Sequence, residues 1–292
     1  MEVAGKRIVV TGSSRGLGRA FAIDLAKEGA EVVINGTDED ALGETSARIE
    51  AVGGTSVSVV GSVARMSTCE ALVETCVEAF GGIDVLVNNA GIVRDRTIVK
   101  MSAEEFDEVI AVNLRGAWAC TKLAAKRMSD AGGGHIVQII SASGLTGGFG
   151  QSNYAASKAG MMGLLRTAVQ EFGKINVRCN AMWPVAQTDM TQVVFDRAAA
   201  QARARGEPPP DPQAIGFGAP EDVAKALLWL VSDRARHLNG QCLSCNGRKV
   251  ALWTHPSEFA IGTRDSAWTL DALDTHFEGV APAEIYQPRM RF

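Results

Sequence analysis

Tyr154 and Lys158 stand four residues apart in YAASK, a spacing that puts a phenol and an ammonium group on one face of a helix. An unperturbed tyrosine titrates at about 10, too high for a general base at neutral pH, and a neighbouring cation favours the phenolate. The expectation is that Lys158 lowers the phenol into a working range. Alone, such a pair is more often a solvated helix face. Here Ser141 ends the apolar run HIVQIIS and Tyr154 opens the next helical pattern, so a short loop brings hydroxyl and phenol together.

A second group follows the short apolar strand RIVVT, in Thr11-Gly12-Ser13-Ser14-Arg15-Gly16-Leu17-Gly18. Its glycines let the backbone turn sharply while N–H groups at a helix start face an anion, which suits a pyrophosphate. The spacing of Gly12, Gly16 and Gly18 departs from G-x-G-x-x-G, but a strand before and a helix after supply the required context. Two other motifs overlap the turn. Gly12 to Gly16 matches G-x-S-x-G, the hydrolase elbow, with Ser14 as nucleophile; that elbow needs an oxyanion loop from an earlier strand, and only eleven residues precede Gly12. The phosphate-binding G-x-x-x-x-G-K-[ST] fails because Arg19 follows Gly18. Dinucleotide binding fits best of the three.

Elements able to position these groups alternate along the chain. Strand patterns in RIVVT, EVVIN, TSVSVV, IDVLV, HIVQII, NVRCN and QCLSC are separated by helical patterns, including one long stretch from Ala103 to Met128 and another from about Asn153 to Phe172. Such alternation implies an α/β, doubly wound, mostly parallel Rossmann-type sheet of about seven strands with helices on both faces. Residues 1–247 read as the dinucleotide-binding catalytic domain. The pattern loosens over about 191–220, where EPPPDP cannot continue a helix, and that stretch reads as a flap. Residues 248–292, with Trp253, Phe259, Trp268, Phe277 and Tyr286 among charges and prolines, read as an extension packing on the domain or on a neighbouring subunit. Trp183 and Phe149 are candidate pocket walls, although both types are more often core.

The whole chain has 292 residues, 46% hydrophobic and 21% charged, the balance of a soluble packed protein. Lys and Arg total 29 against 33 for Asp and Glu, net −4, without a basic stripe, so no nucleic-acid partner is expected. No run reaches a membrane span, and the apolar run near the first residue is too short for a leader; a cytoplasmic location is the expectation. Six cysteines are too sparse for a disulfide scaffold. Cys242 and Cys245 form a C-x-x-C inside a strand pattern, where residues three apart point to opposite faces, so no metal site is expected.

TGSSRGLG, Asn88-Asn89-Ala90-Gly91, Asn113 in VNLRG, Ser141 and YAASK together resemble the short-chain dehydrogenase/reductase family over residues 1 to about 247. The resemblance implies a nicotinamide cofactor, an NAD(P)-dependent oxidoreductase, and a homodimer or homotetramer. It implies that Tyr154 is the general acid/base, that Lys158 lowers its pKa and holds the nicotinamide ribose, that Ser141 donates to the substrate oxygen, and that Asn113 kinks a helix and supports a proton-relay water. Gly12, Ser14, Arg15, Gly16, Leu17 and Gly18 would hold the pyrophosphate side, and Asn89, Ala90 and Gly91 would line the cofactor. Thr37 and Ser62 stand toward the adenine end, Ser62 where the family commonly has an aspartate. Pro184 and Thr188 are candidates for the nicotinamide side, with Pro184-Val185 where most members have Pro-Gly.

A closer resemblance lies in Ser141-Ala142-Ser143-Gly144, Phe149 to Tyr154, and Arg94-Asp95-Arg96-Thr97. These are similar to (3R)-hydroxyacyl-CoA dehydrogenase units of peroxisomal multifunctional enzymes and to 3-oxoacyl-thioester reductases. The implied substrate is a small-molecule carbonyl or alcohol, including a 3-hydroxyacyl or 3-oxoacyl thioester on CoA or acyl-carrier protein. Another carbonyl or cyclic alcohol, and a non-catalytic dinucleotide-binding protein, are the alternatives. For the cofactor, the second strand ends in Asn35-Gly36-Thr37 with Asp38 beyond, and Arg15 lies in the glycine turn. This favours NADP(H) over NAD(H), since a carboxylate at that strand end would bond the ribose 2′-OH of NAD whereas an arginine accommodates a 2′-phosphate.

Overall fold

The computed structural model describes residues 1–209, 211–213, 216–257, 260–265 and 267–278; the side chains of 193, 194 and 197 are not described. Phe259 and Tyr286, expected in the extension, lie outside the described residues. Two compact units emerge, Met1–Trp253 and Thr254–Phe292.

In the first unit β1 (Arg7–Val10), α1 (Gly16–Lys27), β2 (Glu31–Gly36), α2 (Glu39–Ala51), β3 (Thr55–Val60), α3 (Met66–Phe80) and β4 (Val85–Asn88) form the first half. The second half follows as α4 (Ala103–Ile110), α5 (Ala117–Asp130), β5 (Gly134–Ile139), the single turn α6 (Ser143–Thr146), α7 (Ser152–Phe172), β6 (Val177–Pro184), α8 (Asp189–Ala204), α9 (Pro220–Val231), β7 (Cys242–Cys245) and β8 (Val250–Leu252). Strand order is β3-β2-β1-β4-β5-β6-β7-β8. All neighbours are parallel except β7 and β8. Order reverses between β1 and β4, so their carboxyl ends open the crevice where wound sheets bind ligands.

Parallel strands covered on both faces need apolar residues throughout, and β1 shows why: Ile8 and Val10 pack in one core and Val9 in the other. The first core gathers α1, α2 and α9, the second α3, α5 and α7. Cys242 and Cys245 divide in the same way, one into each core, as a strand spacing of three requires. Among the described residues no cluster of His, Cys, Asp or Glu suits a metal ion, and no helix is long and apolar enough to cross a membrane.

The sheet has eight strands where about seven are expected. Asn246-Gly247 turns the chain back, with Gly247 at φ 87° and the Asn246 carboxamide oxygen accepting from the Arg248 and Lys249 N–H groups, and β8 then pairs antiparallel with β7. Trp253 follows and packs on Trp183, ring centroids 5.1 Å apart, so Trp183 is held in the second core. Phe149, the other candidate pocket wall, is 89% exposed. Within 191–220 the chain is not merely loose: α8 occupies its first part and ends before Glu207-Pro208-Pro209. In the second unit α10 (Leu270–Glu278) carries His276, whose ring stacks near Trp268 at 5.2 Å and bonds Ala260 O at 2.7 Å.

At the opposite end of the sheet from the crevice His135 is buried, with Arg178 Nη2 3.3 Å from Nδ1 and Asn180 Nδ2 3.0 Å from Nε2. A guanidinium can only donate, so Nδ1 accepts from Arg178 and the ring proton sits on Nε2; a second proton, on Nδ1, would face the Arg178 cation. Burial, then the Arg178 and Lys6 charges, hold the imidazole well below its ordinary pKa. A depressed histidine pKa gives stability that is full above about 6.5 and declines as pH falls, since the unfolded chain takes the proton first. Melting curves between pH 7 and 5 should therefore show a stability slope from this residue of up to about 1.4 kcal/mol per pH unit. His135→Gln should flatten that part of the slope.

Candidate active site

The glycine turn is built by close approach. A Cβ on Gly18 would stand 2.1 Å from Gly12 O and 2.5 Å from Asn89 Nδ2, and one on Gly12 would stand 2.7 Å from Ala90 Cα. Gly12 also adopts φ 64°, a conformation that suits a residue without Cβ. Asn89 Nδ2 donates to Thr11 O at 2.9 Å and Gly12 O at 2.8 Å. Thr11 Oγ1 accepts from the N–H groups of Asn89 and Ala90, both at 3.0 Å. The loops after β1 and β4 are thus one bonded unit.

At the start of α1 the N-cap position is Arg15, whose side chain caps nothing, and the first turn holds no acidic residue. Unsatisfied N–H groups and the helix dipole point into the crevice, the requirement for a pyrophosphate. Gly16 and Leu17 open this helix, and Ser14 sits beneath its first turn, within 2.8 Å of where a Gly36 Cβ would lie. That contact also keeps an acidic side chain out of position 36. Asn35 is buried, its carboxamide bonded to Gly12 N, Val59 O and Gly61 O, and Asp38 caps α2 through Ala41 N–H. Thr37 and Arg15 are exposed, and the Arg15 side chain has no hydrogen bond or ion pair among the described residues. Ser62 Oγ accepts from Ala64 N–H in the turn after β3.

The reactive group lies at the carboxyl ends of β4 and β5. The expected long helix from Ala103 to Met128 is continuous and runs to Asp130, but between α4 and α5 the backbone widens into a π-helical turn, Ala111–Gly116. Asn113 sits in it, fully buried, accepting from Ile92 N–H at 2.8 Å and donating to Ile92 O at 3.0 Å and Ser157 Oγ at 3.2 Å. Lys158 is also buried; its Nζ donates to Ile139 O at 2.7 Å, and Gly91 lies alongside, an added Cβ there being 3.7 Å from Nζ. Nζ stands 5.7 Å from the centre of the Tyr154 ring. The Ser141 hydroxyl accepts from Ser143 N–H and faces the Tyr154 phenol, where it favours the ionised form.

The expected direction of the Tyr154 shift is corrected here. Burial pushes the phenol above its ordinary pKa, the Ser141 hydrogen bond pulls it down, and Asp95 pushes it up again. Lys158 is itself pulled down by burial, to about 8. Helix spacing puts the pair on one face, but desolvation acts against the charged form of each, and it dominates in the chain by itself.

Pro184 ends β6, and Thr188 stands at the N-cap of α8, its N–H donating to Thr191 Oγ1 at 2.8 Å while its methyl lies beside Gly16. Ser14 lies against Gly36, Thr188 against Gly16 and Gly91 beside Lys158, and these residues, with Ser141, Tyr154, Thr37 and Ser62, all follow the carboxyl ends of parallel strands or open the next helix. Thr11, Asn153 and Gln151, quoted within motifs but assigned no role from the sequence, also matter here. Asn153, fully buried, ties Arg94 O and Glu105 O to the start of α7; a carboxamide opening a helix was the available signal.

Residues 6–199 match the model of the short chain dehydrogenase family. The chain belongs to that family. This dehydrogenase is 37% identical over 254 residues to the L-rhamnose 1-dehydrogenase (NAD(P)(+)) of Azotobacter vinelandii, covering 85% of this chain and 97% of the relative. It is 36% identical over 252 residues to the 3-oxoacyl-[acyl-carrier-protein] reductase of Thermotoga maritima, covering 86% and 100%. It is 38% identical over 270 residues to a hydroxyacyl-CoA dehydrogenase of Mycobacterium tuberculosis, covering 87% of this chain and 81% of that one. Among solved structures, a short chain dehydrogenase from Mycobacterium avium superposes with TM-score 0.80 at 35% identity, covering 94% of each chain. The protein is an NAD(P)-dependent oxidoreductase of this family.

Proposed function

We propose that this dehydrogenase interconverts a secondary alcohol and a ketone at C3 of an acyl thioester, with NADP(H) preferred over NAD(H). The observation that carries the reading is the convergence of the Ser141 hydroxyl, the Tyr154 phenol and the buried Lys158 ammonium beside the uncapped end of α1. The names of two relatives, a 3-oxoacyl reductase and a hydroxyacyl-CoA dehydrogenase, support the thioester class.

The dinucleotide, when bound, supplies or receives the hydride. Lys158 would hold the ribose hydroxyls, and the N–H groups of Arg15 to Leu17 would hold the pyrophosphate. Ser141 donates to the substrate oxygen, and Tyr154 gives that oxygen its proton in reduction or takes it in oxidation. A phenol with a raised pKa is protonated at neutral pH and suited to donate. A positively charged oxidised nicotinamide beside it would favour the phenolate, suited to accept. Asn113, holding Ile92 from both sides, keeps the wall behind Lys158 in place and supports a water path for proton exchange.

Turnover of acetoacetyl-CoA with NADPH, followed by loss of the reduced nicotinamide absorbance, tests the substrate class. Oxidation of L-rhamnose with NADP+ at the higher kcat/KM would instead favour the cyclic alcohol, a reading supported by the Azotobacter relative. Arg15, exposed and unpaired, is the proposed partner of a 2′-phosphate. Arg15→Glu should raise the NADPH KM by about ten- to a hundred-fold while leaving NADH little changed; equal effects on both would contradict that role. Self-association as a homodimer or homotetramer is proposed through the groove between α5 and α7, where Trp118 is 43% exposed beside Leu164 and Ile175. A monomer in light scattering would refute it.

A further inference from the structure

We propose that Asp95, fixed by Gln151 at the mouth of the Ser141–Tyr154 cleft, filters substrates by charge: it disfavours 3-oxo compounds with a free carboxylate beside the reacting carbonyl and admits their neutral esters and thioesters. The filter rests on the carbonyl reduction proposed above and names which members of that class the site takes.

The placement of Asp95 is built from α7 outward. Asn153 Nδ2 donates to Arg94 O at 3.0 Å, and Arg96 N–H donates to Gly150 O at 2.7 Å, which staples the backbone on both sides of Asp95 to the start of the helix bearing Tyr154. Gln151, three residues before Tyr154, gives its Nε2 to both Asp95 oxygens at 3.3 Å and takes the Ser143 hydroxyl on Oε1 at 2.7 Å. Ser143 N–H in turn donates to Ser141 Oγ at 3.3 Å. Two residues, Gln151 and Ser143, thus link the carboxylate to the Ser141 hydroxyl proposed to meet the substrate oxygen.

Its charge is left uncompensated. Arg94 pairs with Glu108 at 2.8 Å and Arg96 with Glu105 at 2.9 Å, so both flanking guanidiniums are engaged. Asp95 makes no ion pair among the described residues; the Gln151 group that bonds it is a neutral carboxamide. The carboxylate already raises the Tyr154 phenol, so its field reaches the reacting position. A free acid whose carboxylate is two bonds from the carbonyl carbon meets that field directly, whereas an ester or thioester has no charge there.

The test compares acetoacetate with ethyl acetoacetate at saturating NADPH in the parent chain, Asp95→Asn and Asp95→Lys. Both substrates use the same phenol, so any change in its acidity cancels in the ratio of their kcat/KM values. The parent should prefer the ester. Asp95→Asn should move the ratio toward acetoacetate by about ten-fold, the scale of a like-charge contact near a protein surface, and Asp95→Lys should move it further. Melting temperature and NADPH affinity matching the parent would show that both variants fold. A ratio unchanged in an active parent and both variants overturns the filter alone. A parent that reduces neither compound overturns the carbonyl reading, and the filter falls with it.

Discussion

Tyr154→Phe is expected to bind NADPH as the parent does while losing about 10²- to 10⁴-fold in reductive kcat, the usual contribution of a positioned general acid. The ring remains to fill its place beside Lys158, and the Lys158 bond to Ile139 O does not involve the phenol oxygen. What disappears is the proton donor and the partner of Ser141. Nucleotide fluorescence reads the binding and nicotinamide absorbance the turnover. Undiminished turnover would remove Tyr154 from the chemistry. A parent that binds nucleotide yet turns over no carbonyl or alcohol would instead indicate a binding protein with an idle site.

Gly18→Ala should cost more in nucleotide binding than any surface change. The added methyl meets Gly12 O at 2.1 Å and Asn89 Nδ2 at 2.5 Å. Neither can withdraw freely: the Gly12 carbonyl accepts from Asn89, and Gly12 lies against Ala90. The turn must deform, and with it the N–H groups at the start of α1. Calorimetric titration with NADPH should show affinity reduced by about a hundred-fold, and thermal unfolding a loss of about 1–3 kcal/mol, as for an overpacked core site. Gly43→Ala, in α2 with open space around its Cβ position, is the control and should be neutral or slightly stabilising. Wild-type affinity in Gly18→Ala would show that the turn does not cradle the nucleotide.

The doubly wound sheet was legible because its strands are short, apolar and bounded by helices, and because a strand spacing of three separates Cys242 from Cys245 whatever the neighbours. β8 escaped notice although Asn246-Gly247 is a hairpin signal, since three residues carry too little alternation to register. The π-helical turn at Asn113 was equally silent in the periodicity: one extra residue shifts a helical pattern by less than a third of a turn. Spacing alone showed Tyr154 and Lys158 on one face, but it carries no information on burial, which reverses the direction of the tyrosine shift. Asp95 and Gln151, 56 residues apart, meet only through the fold.

The most direct measurement is the ultraviolet titration of Tyr154, readily isolated because the chain has two tyrosines and Tyr154→Phe leaves only Tyr286. Without nucleotide the phenol should ionise above its ordinary value of about 10, and with NADP+ bound it should fall toward neutrality as positive charge is added beside it. A titration that NADP+ leaves unmoved would contradict the role of Tyr154 as the group that exchanges the proton.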